Sequence, residues 1–440
     1  MIRTALFLLV LCSPARAAVP GLPKVAFTES RLDNGLRVII APDATAPVFG
    51  IAVTYDVGSR NERPGRTGFA HLFEHMMFQG SENIGKGEHF ILVLNNGGGM
   101  NGTTSEDRTN YFEALPKNQF DLALFLEADR MKSLNINQAN LDNQRKAVQE
   151  ERRLGLDNQP YGKSMLELDN LSFDNFAYKH SVIGSMRDLN AASLDDVRDF
   201  FKTYYAPNNA VLVLAGDLDP AEALEKVRKA FGGLSAQPIP PAPDLNEEER
   251  FGERRTLIKD PLARVPRLDV TYLVPPGAAP EHAAVDALAV ILAGGKSSRL
   301  YQRLVKEKEL ATEVDVQADM RIGPSLLYIN AMPRPGTDLA VLEKSLDEVL
   351  EDVRAKGVTP AELEKAQRLY RRHLIQGRQT ALNTAVQLGE FAVKFKDPAL
   401  INSRFEALRK VTPAQVQEAA RKYLIPTGRT VVVTVPEGKS

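Results

Sequence analysis

Gly68-Phe-Ala-His71-Leu-Phe-Glu74-His75-Met-Met-Phe78 is an apolar stretch broken by two histidines and one glutamate. At 3.6 residues per turn, His71 and His75 fall on one face of a helix with Glu74 beside them. Both imidazoles then reach one ion, and the carboxylate reaches a water held there. That is the geometry of a hydrolytic zinc site. A buried helix can also carry a His–Glu pair as a structural ion pair. Three polar side chains aligned on an otherwise apolar helix are costly to bury for packing alone, however, and the chain has only six histidines.

Working outward from this helix, the chain reads as one plan written twice. A β-type segment at Val48 to Tyr55 precedes the motif, and another at Leu268 to Val274 precedes a second helical stretch. Ile136 to Leu154 and Thr359 to Leu374 are both long, charged and helix-like. Ser193-Leu-Asp-Asp196 opens a capped helix leading to the strand Ala210 to Ala215, and Thr412-Pro413 opens another leading to Thr430 to Val435. Asn34-Gly35 between Phe27 to Leu32 and Leu36 to Ile40 marks a hairpin.

The expected fold is α+β, with two tandem homologous domains, each a mainly antiparallel sheet packed with helices. Residues 234–254 are rich in proline and then in charge, and read as an interdomain linker between 18–233 and 255–440. A chain of 440 residues is long for one core, which agrees with two domains.

A catalytic zinc takes three protein ligands and keeps one position open. The third is sought in Gln144-Arg-Lys-Ala-Val-Gln-Glu150-Glu151-Arg-Arg-Leu154, a plausible amphipathic helix with adjacent carboxylates. From the residues alone either Glu150 or Glu151 turns inward, and the stretch also reads as a solvated charged face.

The order His-x-x-Glu-His, with 75 residues between His75 and Glu151, resembles the pitrilysin, insulysin and mitochondrial processing peptidase family of inverzincins. Gly98-Gly-Met-Asn101-Gly102-Thr-Thr-Ser105 is similar to that family's substrate-binding edge strand. The stretch from Glu150-Glu-Arg-Arg to Asp157-Asn-Gln-Pro160 fits as well. The resemblance implies a zinc peptidase with one Zn2+ per chain, held by His71, His75 and Glu151, and with Glu74 as general base. It implies that Asn101, Gly102 and Thr103 line a sheet edge to which an extended peptide adds as another strand. Read without the resemblance, the glycine-rich stretch is a mobile surface loop. A phosphate cradle fits less well, because no Lys-Ser/Thr ending follows.

The family's complete site also uses an Arg and a Tyr, which fall here on Val305 and Thr312. Arg321 and Tyr328 share the spacing, but an odd separation along a strand points side chains to opposite faces, so the pair is set aside. His89, His180, His282 and His373 read as surface or cap residues. The chain therefore looks like the metal half of a split site, completed by a sequence-related subunit that brings the Arg and the Tyr. A non-catalytic core subunit of the same fold is the competing reading, and all four metal-site residues argue against it.

At the amino terminus Arg3, the apolar run Ala5 to Cys12 and Ala15-Arg16-Ala17 read as a signal peptide over residues 1–17. A lipoprotein anchor on Cys12 is the rival, though Leu11 stands where such signals want a small residue. The expected destination is periplasmic or secreted. Cys12 is the chain's one cysteine, so the mature protein has neither disulfide nor thiolate ligand. Removing Arg3 and Arg16 takes the formal charge from −1 to −3, which offers nucleic acid no electrostatic footprint. No stretch reaches the length of a membrane span.

Overall fold

The structure is a computed structural model that describes residues 19–248 and 252–437. The expected signal segment and Cys12 lie outside them. Each half builds one sheet. The first contains β1 (Thr28–Arg31), β2 (Arg37–Pro42), β3 (Val48–Tyr55), β4 (Gly99–Thr104), β5 (Thr109–Pro116) and β6 (Ala210–Gly216), in the order β1-β2-β6-β3-β5-β4. The second contains β7 (Arg254–Asp260), β8 (Arg267–Val274), β9 (Ala311–Ala318), β10 (Ser325–Pro333) and β11 (Arg429–Pro436), in the order β7-β11-β8-β10-β9. Apart from β1 the two orders coincide strand for strand, so the repeated plan in the sequence is a repeated topology. Pairing is antiparallel except for one parallel pair in each sheet, β2 with β6 and β7 with β11.

The hairpin at Asn34-Gly35 forms with Gly35 at φ +87°. The Asn34 amide also donates to Phe231 O at 2.7 Å and Leu234 O at 3.0 Å, tying the turn to the end of a helix. Ser193 and Thr412 cap their helices with reciprocal side-chain bonds to the residue three positions on.

One face of the first sheet carries the main core, where Phe49, Val53, Leu212 and Leu214 meet Leu72, Phe73, Leu124 and Val227 from helices of the same half. Its other face is covered from the second half. The helix Ala381–Lys394 lays Ala385, Leu388 and Ala392 on Ile39, Ala52, Val211 and Val213. The approach is close: a side chain at Gly50 would come within 2.5 Å of Leu382 Cα, and one at Gly389 within 2.5 Å of Thr54 Oγ1. The exchange is reciprocal. The first-half helix Gly162–Ser172 lies on the second sheet, where the Ser172 and Thr271 hydroxyls share a hydrogen bond of 2.6 Å and Ser164 bonds to Thr434. Strands covered on both faces read as unbroken apolar runs, as Val48-Phe-Gly-Ile-Ala-Val-Thr-Tyr55 and Ala210-Val-Leu-Val-Leu-Ala215 do.

The halves also meet at the β9–β10 hairpin tip, and here the reason for setting Arg321 and Tyr328 aside is corrected, while the pair stays out of the metal site. Arg321 is not on a strand, since β10 begins at Ser325, so alternation does not govern it. Its Nη2 donates to Tyr328 Oη at 2.8 Å and to Asp169 at 3.2 Å, while the guanidinium stacks 4.7 Å from the Phe173 ring. The pair belongs to an ion cluster in the seam between the halves, with Arg321 buried and Tyr328 half-buried. Among the described residues no helix is long and apolar enough to cross a membrane.

Candidate metal centre

The motif helix spans Phe69–Met76, and its start is buried. Gly68 caps it at φ +87°, where any Cβ would meet Ile183 O at 2.6 Å. A carboxylate rather than a Ser or Thr hydroxyl satisfies the free amides of the first turn: Glu62 accepts from Gly68 N and Ala70 N, both at 2.8 Å. Burial keeps the Glu62 carboxyl well above the usual range in spite of those bonds. Leu72, Phe73 and Met76 bury one side of the helix, and Phe73 stacks on Phe201 at 5.9 Å. His71 and His75 are left on the face toward the helix Gln138–Arg152.

There Glu151 meets both histidines. His75 Nε2 lies 3.1 Å from Glu151 Oε2, and His71 Nε2 lies 3.5 Å from Oε1. One ligand atom from each of the three residues falls within 4.8 Å of the other two. Donors 2.0–2.2 Å from a tetrahedral zinc sit roughly 3.3–3.6 Å apart, and the two His–Glu151 separations lie close to that spacing. Electrostatics agree with the geometry. Burial, and then the charge of His75, push His71 down to about 4, leaving its imidazole neutral. Burial also lowers His75, but the bond to Glu151 outweighs it and the net shift is upward; the same bond holds Glu151 below the carboxylate range. Two nitrogens and a carboxylate thus converge on one point, a donor set that favours a positive charge there.

Glu150 points the other way and pairs with Arg153 at 2.9 Å. The sequence held a signal for this. Glu151 lies three residues after Val148, seven after Gln144 and ten after Leu141, all of them buried, whereas Glu150 is one step of about 100° off that face.

Beside the two histidines, Glu74 Oε2 accepts from Thr104 Oγ1 at 2.5 Å, and burial raises its carboxyl. Thr104 ends β4, the edge strand, so Asn101, Gly102 and Thr103 all lie on a strand paired with β5 alone among the described residues. The strand runs against the base: a Cβ on Gly102 would sit 3.0 Å from Glu74 Cγ. Asn101 Oδ1 accepts from the Gly102 amide at 2.9 Å, and Thr103 Oγ1 donates to Asn110 at 2.6 Å. Glu62 and Thr104 escaped the sequence reading, since Glu62 reaches amides six and eight residues on and Thr104 meets Glu74 from 30 residues away, neither at a spacing that a local motif marks.

Three of the other histidines are buried or half-buried rather than at the surface. His89 shares a 2.5 Å hydrogen bond with Glu113 in the core. Glu127 lies within ligand distance of that pair, but it is paired with Arg130, whose guanidinium sits 4.5 Å over Tyr111 and already supplies the cation. His282 bonds to Asp319 O at 2.9 Å, and His180 lies 3.6 Å from Glu62. Val305 is buried in the second core, and the Thr312 hydroxyl donates to Met332 O at 3.2 Å.

Comparison with known proteins returns one family for both halves. The model for insulinase, peptidase family M16, matches residues 37–176, and that for the peptidase M16 inactive domain matches 191–370. Zinc protease PqqE of Helicobacter pylori is 29% identical over 432 residues, covering 98% of this chain and 97% of that protein. A crystal structure of a protease from Helicobacter pylori superposes with a TM-score of 0.89 at 28% identity, covering 94% of this chain and all of the other. The first half of the periplasmic protease PqqL from Escherichia coli shares the fold, with a TM-score of 0.76 at 19% identity over 96% of this chain and 94% of that one.

Proposed function

The chain belongs to the M16 family of peptidases, and from that premise we propose that it is a zinc-dependent endopeptidase acting on peptides or small unfolded proteins. The observation that carries the reading is the convergence of His71, His75 and Glu151 on one point, with Glu74 beside it. His71, His75 and Glu151 hold one Zn2+, which two nitrogens and a carboxylate suit best among common metals. When bound, zinc supplies a Lewis acid and an acidified water.

Glu74 takes a proton from the attacking water and hands it to the leaving amine. Its carboxyl is raised by burial, which favours the protonated form needed in the second step. The substrate lies along β4 as an added strand, held by main-chain bonds at Asn101, Gly102 and Thr103.

Val305 and Thr312 offer no cationic or phenolic donor to the carbonyl oxygen. A sequence-related subunit carrying an Arg and a Tyr completes the site, and one such donor is worth roughly 100-fold or more in turnover. In this reading residues 18–233 form the metal-bearing unit, 234–254 connect, and 255–440 form the homologous unit without the metal motif. Residues 1–17 direct export, and the periplasmic label on the Escherichia coli neighbour is in keeping with that.

A non-catalytic core subunit is the alternative, favoured by the inactive-domain match on the second half. Metal analysis with peptide hydrolysis separates the two, alone and with a related subunit. We expect one zinc per chain, activity that rises when the partner is added, and a Glu74→Gln variant that keeps zinc and loses turnover. Protein that takes up no zinc after supplementation, or full activity in Glu74→Gln, would overturn the mechanism.

A further inference from the structure

We infer that Thr104 is the positioning residue for Glu74, and that the second half of the chain reaches the base through it. The inference rests on the peptidase reading. A glutamate has three side-chain torsions, and a carboxylate that must meet one water in one place needs an anchor. Among the described residues only Thr104 donates a side-chain hydrogen bond to Glu74, at 2.5 Å to Oε2. That bond fixes the carboxylate, and Oε1, which accepts no hydrogen bond from the described residues, is the oxygen more open to the water's proton.

The anchor is itself stiff. Thr104 is β-branched, and on β4 it shares a face with Gly102, the residue that lies against Glu74 Cγ. Thr109 supports it from the neighbouring strand, with a hydroxyl 3.5 Å from that of Thr104 and donating to Val57 O at 2.9 Å. The turn that follows is fixed by the buried Asp107. Its carboxylate accepts from Tyr178 Oη at 2.7 Å and from the Ile322 amide at 2.8 Å, with Arg60 at 3.6 Å and Lys394 at 3.9 Å alongside. Ile322 and Lys394 belong to the second half. A half without metal ligands thereby holds the end of the strand that orients the base.

The experiment uses Thr104→Val and Thr104→Ser in the full chain, each assayed alone and with the related subunit. Zinc stoichiometry and affinity are read by chelator competition, and kcat and KM on a quenched-fluorescent peptide. We expect Thr104→Val to keep wild-type zinc affinity and KM while kcat falls roughly ten- to a hundredfold, the effect of losing one hydrogen bond to a charged group. Thr104→Ser should restore most of kcat. An unchanged kcat in Thr104→Val overturns the inference and leaves the peptidase reading standing. Loss of zinc in both variants makes Thr104 structural and overturns it as well. Wild-type protein that neither binds zinc nor cleaves peptide overturns both.

Discussion

Glu150 and Glu151 are adjacent carboxylates with opposite surroundings, one bonded to Arg153 at the surface and the other to two histidines. Changing Glu151 to Gln should therefore weaken zinc binding by about 100-fold or more, beyond the 10- to 100-fold typical of partners outside the coordination sphere. Glu150→Gln should bind as wild type in the same chelator titration, and the reverse order would show that the wrong carboxylate has been assigned.

A second pair makes a pH prediction. Burial raises Glu113 to about 7 from its ordinary 4.5, and burial lowers His89 to about 3 from 6.5. Between pH 4.5 and 7 the unfolded chain has given up a Glu113 proton that the fold retains, so this group lowers stability as pH rises. Between pH 3 and 6.5 the unfolded chain binds a His89 proton that the fold refuses, so that group raises stability as pH rises. The two oppose each other from pH 4.5 to 6.5. Glu113→Gln keeps a donor to the His89 nitrogen and removes the falling contribution. Urea unfolding at the two ends of that window should show a steeper gain with pH in the variant than in wild type, and equal slopes would refute the assignment.

At the scale of elements, the motif helix depends on a carboxylate that is not a cap in the sequence sense. Ser193 and Thr412 were legible because each cap and its partner are three residues apart. Glu62 stands six residues before Gly68 and eight before Ala70, and only the path of the chain brings it back. Replacing it with Ala strips two buried amides of their acceptor, at a cost of about 1–3 kcal/mol, and loosens the turn that carries His71. Urea denaturation should register the loss, with a parallel fall in zinc affinity; a variant of unchanged stability would mean that the helix start is satisfied otherwise. β4 teaches the same point. Its glycines and threonines read equally as a loop, and pairing with β5 from Gly99↔Ala114 to Thr104↔Thr109 makes it an edge strand.

At the scale of the molecule, the exchange of helices binds the halves together. Without the helix Ala381–Lys394, the face formed by Ile39, Ala52, Val211 and Val213 is open to water. Residues 18–233 expressed alone should therefore aggregate or stay expanded in size-exclusion chromatography, and co-expression with 255–440 should recover a folded complex. A compact, cooperative first half on its own would show that the exchange is dispensable.

What the sequence determined by itself was whatever repeats locally or sits within a few helical turns. The alternation of strands and helices, the doubled plan, the capped starts and the placement of His71, His75 and Glu74 on one helix all follow from periodicity and side-chain type. What only the tertiary structure decided depends on residues far apart in the chain. It buried His89 and His282. It also joined Arg321 to Tyr328 across a turn that strand alternation does not describe, and set Thr104 against Glu74. Those outcomes rest on packing and on the pairing of buried polar groups, and such pairing is fixed by where the chain returns in space.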